Sequence, residues 1–100
     1  MIVEAEYYLC SNLFEMRQKN AKLQLQDYLE RHPYSPYADR TNYMLGMLEY
    51  EAKNYPAALN YFRKVDETHL INREKTDFLF CRAYSNLATE HPEKALDIFN

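Results

Sequence analysis

The chain has 100 residues, 47% of them hydrophobic, with one glycine, four prolines, two cysteines and a formal net charge of −3. That is one domain's worth of sequence, too poor in turn residues for a sandwich or barrel of many short strands, and its charge argues against the basic stripe that meets nucleic acid. No uncharged apolar run nears the roughly 18 residues of a membrane span, the first residues lack the basic start and apolar stretch of a signal peptide, and two cysteines make no disulfide framework.

With so many apolar residues, a mean hydropathy of −0.66 requires that they alternate with charged ones, as in amphipathic helices. Ten tyrosines and no tryptophan supply large side chains with a polar tip, suited to half-buried surfaces. The periodicity predicts helices over 2–15, 20–31, 36–52, 55–66, 73–88 and 92–100, and no strands.

In chain order, the first segment starts without a cap. His32-Pro33-Tyr34-Ser35-Pro36 stops the second and starts the third, Ser35 being a good N-cap and Pro36 a good first residue. The third places Leu45, Gly46, Leu48 and Tyr50 close to one face, with charges at Asp39, Arg40, Glu49 and Glu51. Lys53-Asn54-Tyr55 forms a short turn, and Pro56 sits where a first helical turn tolerates it. Ala58, Leu59, Phe62 and Val65 then make an amphipathic stripe, and the short connection forces the two helices antiparallel. Asn72 is expected to cap the fifth helix, and His91-Pro92 opens the sixth.

A shift of 37 residues superimposes Ala21 on Ala58 on Ala95, Leu25 on Phe62 on Phe99, and Leu13 on Tyr50 on Leu87. The same shift superimposes Leu9 on Gly46 on Ala83, and Cys10 on Met47 on Tyr84. It divides the chain into units of about 2–35, 36–72 and 73–100, the last truncated. Gly46 and Ala58 are small where two helices cross, and Phe62 fills the space beside them.

Leu45-Gly46, with Ala58 twelve residues after the glycine and Phe62 four later, resembles the tetratricopeptide repeat. Leu9 to Ala21 and Ala83 to Ala95 repeat the twelve-residue spacing. Asn42 and Glu49 depart from the signature, which has aromatics there; Tyr43 and Tyr50 stand beside them. The resemblance implies an all-α fold, a right-handed α-solenoid of three helix-turn-helix units. The Tyr34-Ser35-Pro36-Tyr37-Ala38 start and the segment Asn54 to Val65 resemble long multi-repeat proteins exported to the bacterial periplasm. That implies an N-terminal slice of something longer, periplasmic if a leader has been removed and otherwise cytoplasmic. The apolar Leu96, Ile98 and Phe99 have no capping helix after them, so weak self-association through that end is expected.

Candidate chemistry is thin. His32 and His69 are 37 apart and hence about one helix spacing, roughly 8–10 Å, from each other, too far to converge on one metal ion; they read as solvated loop residues. Cys10 and Cys81 belong to different units and read as small buried groups. Glu4, Glu6, Glu49 and Glu51 read as solvated helix faces, and one glycine cannot make a phosphate loop. No catalytic set, metal or cofactor is expected.

What remains is a surface. In a tetratricopeptide stack the first helices line a concave face, so the resemblance places Arg40, Tyr43, Met47, Tyr50, Asp77, Phe80 and Tyr84 in a partner-binding groove. Glu6, Cys10, Leu13 and Leu87 extend it, although Leu13 and Leu87 read more readily as packing against neighbouring helices. Two functions follow: a non-catalytic scaffold that binds a peptide or protein segment, or a structural segment of a longer solenoid whose surfaces pack against its own chain.

Overall fold

The computed structural model describes residues 2–90, with side chains from Ala5 onward. Five α-helices follow one another: α1 (Ile2–Glu15), α2 (Ala21–Arg31), α3 (Ala38–Glu51), α4 (Tyr55–Phe62) and α5 (Asn72–Glu90), with a 3-10 turn at Glu67–His69 before the last. There is no strand among the described residues, so the all-helical class expected from the sequence is what is found. The sixth expected helix, with Ala95, Leu96, Ile98 and Phe99, lies outside the described residues.

Each helix packs on the next, and α3 also contacts α1 and α5. This central place explains why Thr41, Asn42, Tyr43, Met44, Leu45 and Gly46 are all buried in a row. A helix covered on most of its circumference has no clean polar face, and its charges must find partners instead. Glu49 is 7% exposed and takes Lys22 Nζ at 3.1 Å; Arg40 pairs with the buried Glu74 of α5. The core is Tyr7, Cys10 and Phe14 of α1, Leu25 and Tyr28 of α2, Tyr43, Met44 and Leu45 of α3, Ala58 and Phe62 of α4, then Leu70, Phe78 and Cys81. Phe62 meets Phe78 edge-on at 5.5 Å, fastening α5 to α4.

The hairpins α1–α2 and α3–α4 share a turn that the sequence did not announce. After α1, the Arg17 N–H donates to Phe14 O at 2.9 Å and the Gln18 N–H to Leu13 O at 3.0 Å. After α3, the Lys53 N–H donates to Tyr50 O at 3.0 Å and the Asn54 N–H to Glu49 O at 2.9 Å. This is the Schellman pattern, with Arg17 (φ 51) and Lys53 (φ 63) holding the left-handed position that usually selects glycine. The two turns are 36 residues apart, so in the first helices Leu13 corresponds to Glu49, Phe14 to Tyr50 and Cys10 to Gly46. The shift of 37 is therefore one residue off in α1. Leu9, aligned with the buried Gly46 on the sequence, is 59% exposed, whereas Cys10 is 3% exposed and places its Sγ 3.5 Å from Gln24 O of α2. In the second helices the shift of 37 stands: Ala21 and Ala58 are both buried, as are Leu25 and Phe62. In α5, Ala83 is exposed and the buried small residues are Cys81 and Ser85.

Helix ends depart from expectation for local reasons. Ser35 does not cap α3 directly. Its hydroxyl accepts from the Tyr37 N–H at 3.0 Å and meets Tyr28 Oη at 2.6 Å, so the helix starts at Ala38 instead of 36. The fourth helix stops at Phe62, short of 66, because Lys64 and Val65 turn back by i−3 hydrogen bonds to Tyr61 and Phe62 and Asp39 takes the Asp66 N–H. Asn72 lies inside α5; Glu74 reaches back to the Ile71 N–H at 3.2 Å, one half of a capping box.

Candidate functional site

The α1, α3 and α5 helices enclose a cleft of about 260 Å³. Its lining is Phe14, Glu15 and Arg17 at the end of α1, Tyr43 and Met47 of α3, and Arg73, Glu74 and Asp77 of α5. Neither α2 nor α4 contributes a residue. Spacing accounts for this. Arg40, Tyr43, Met47 and Tyr50 follow one another by three, four and three, and Arg73, Asp77, Phe80 and Tyr84 by four, three and four, so each set forms one stripe along its helix.

The floor is fixed by burial. Tyr43 is 5% exposed, and burial, with Asp77 and Glu74 adding to it, raises its phenol well above the ordinary range. Met47 is half-buried against the core. Two of the cleft's charges are already engaged. Glu74 takes Arg40 Nε at 3.0 Å and Nη2 at 2.7 Å, and Arg17 grips Glu51 through Nε at 2.8 Å and Nη2 at 2.7 Å while its guanidinium lies 4.1 Å from the Phe14 ring centre. Glu15, Arg73 and Asp77 are exposed at the rim and make no ion pair among the described residues.

Farther along α3 and α5, joined by Tyr55 at the start of α4, lies an aromatic group. Tyr50, Tyr55 and Tyr84 meet edge-on, with ring centres 5.4 to 5.8 Å apart, and Phe80, 53% exposed, stacks on Tyr84 at 6.5 Å. Burial pushes the Tyr50 phenol up to about 12.

The seven expected groove residues therefore fall into three places. Tyr43, Met47 and Asp77 share the cleft; Tyr50, Phe80 and Tyr84 share the aromatic group; Arg40 is taken up in its pair with Glu74. The one-residue error in α1 misplaces the extension. Glu6 faces α2, accepting from Arg31 Nη1 at 2.7 Å and lying 2.5 Å from His32 Nε2, and Cys10 is a core residue. Leu13 and Leu87 are half-buried. Phe14, Glu15, Arg17, Arg73 and Glu74 were missed. Arg73 was within reach of the sequence, lying four residues before Asp77 on the same stripe, but the α1 residues were not, because nothing marks Arg17 as left-handed.

The histidines are also more than solvated loops. His32 pairs with Glu6 and His69 with Asp39, so each ties the segment after a second helix back to the preceding first helix. Both cysteines are free thiols, and burial pushes Cys81 up to about 11. No group of three or more metal-ligating side chains occurs among the described residues, and no described helix is long and apolar enough to cross a membrane. No protein-family model matches the chain, and neither does a curated protein or a solved structure.

Proposed function

We infer that the chain is a tetratricopeptide-type scaffold that holds a segment of another protein along the face formed by α1, α3 and α5. One observation carries this reading: among the described residues the cleft is lined by α1 with the turn that follows it, α3 and α5, and by neither α2 nor α4, and the first helices are where a right-handed stack of helix pairs has its concave side. Its half-buried Met47, with Phe14 and Tyr43 beneath, offers an adaptable apolar seat of the kind enriched at interfaces. The long axis of the fold, 46 Å against 29 and 21 Å, supports the same stacked arrangement.

The test compares Met47→Glu with the parent for thermal stability and for capture of partners from the native extract. Met47 reaches the cleft without being a fully buried core residue, so the variant is expected to fold and to lose its partner. A variant that melts far lower while retaining every captured protein would favour a structural segment packed against its own chain.

A further inference from the structure

We propose that the segment seated in this cleft is basic, presenting a Lys or Arg side chain beside an apolar one. The proposal rests on the scaffold reading just given and adds the chemistry of the partner. The cleft holds charge that its own residues leave unmet. Glu74 is neutralised by Arg40 and caps the start of α5 through the Ile71 N–H, so the positive end of that helix already has its anion. Arg17 is likewise neutralised by Glu51. What the rim still offers a ligand is two carboxylates against one guanidinium, and the carboxylates stand on opposite walls, Glu15 on α1 and Asp77 on α5. A cation on the ligand meets an anion whichever wall it approaches, while its apolar neighbour covers Met47. An acidic ligand has Arg73 alone. The net charge of −3 over the whole chain acts in the same direction during encounter.

The probe is a synthetic library of short peptides in which an apolar residue is flanked either by Lys or Arg or by Asp or Glu, screened against the full chain at low salt. Peptides with basic flanks should be enriched. Asp77→Asn and Glu15→Gln should each weaken the best of them by about two- to fivefold, the range for an exposed ion pair, with unchanged melting curves. Met47→Ser, which removes the apolar seat without adding charge, should weaken every binder. Enrichment of acidic flanks, abolished by Arg73→Gln, would overturn the basic preference and leave the scaffold reading standing. Binding insensitive to both carboxylate variants would overturn it too. A library with no binder at all would overturn both.

Discussion

Gly46 and Phe62 are in such close contact that any side chain at position 46 must displace the ring: a Cβ built there would lie 2.3 Å from Phe62 Cε1 and 2.5 Å from Cδ1. The ring yields only at a cost, because Phe62 is 1% exposed and meets Phe78 edge-on. Gly46→Ala should therefore destabilise the chain by about 1–3 kcal/mol, although alanine is the better helix former by about 1 kcal/mol. Combining it with Phe62→Leu, which removes the obstructing ring edge, should cost less than the sum of the two single changes. Denaturant melts of the four proteins in this cycle measure the coupling, and strict additivity would contradict the contact.

The Arg40–Glu74 pair joins α3 to α5 with three hydrogen bonds to a carboxylate that is 5% exposed. Glu74→Ala should cost about 2–3 kcal/mol, the lower part of the range for removing one partner of a buried pair, since Arg40 keeps some access to water. It should cost more than Asp77→Ala, an exposed neighbour on the same helix. Equal melting temperatures for the two variants would contradict the placement of Glu74.

Lys53 adopts φ 63, a left-handed conformation that costs a side-chain-bearing residue about 1–2 kcal/mol. Lys53→Gly relieves that cost and gives part of it back through the greater freedom of the unfolded chain, so a net stabilisation of about 0.5–1 kcal/mol is expected. A melt showing the glycine variant less stable would contradict the Schellman turn.

His69 is raised above its ordinary 6.5 by its hydrogen bond to Asp39, with Asp66 adding to it. A group raised on folding contributes stability that is fully present below the unfolded value and lost as the pH climbs through the folded one. Melting temperature should thus fall as pH rises from about 6 into the alkaline range, and His69→Gln should flatten part of that slope. Asp39 and Asp66 are the charged groups around it. An identical slope in parent and variant would contradict the role of this pair.

The helices themselves were legible because amphipathic spacing and short turns leave their mark on the sequence: Ala58, Leu59 and Phe62 are buried as their stripe predicts. Three of the eight cleft residues were legible for the same reason, Tyr43, Met47 and Asp77 being spaced along helix faces. The register of α1 was not. A repeat shift is set by matching side chains, whereas the true correspondence is fixed by two left-handed residues, Arg17 and Lys53, neither of them glycine. Nor was the burial of Glu49 and Glu74 legible, because a carboxylate in a helix reads as solvent-facing until its cation, from another helix, is known.

The most direct test of the scaffold reading is a map of backbone amide shifts in the isotopically labelled chain as the best library peptide is added. Binding along the first helices predicts that the perturbed amides cluster at Phe14 to Arg17, at Tyr43 and Met47, and at Arg73 to Asp77, with α2 and α4 largely unmoved. Perturbations concentrated on α2 and α4, with the cleft residues silent, would contradict it.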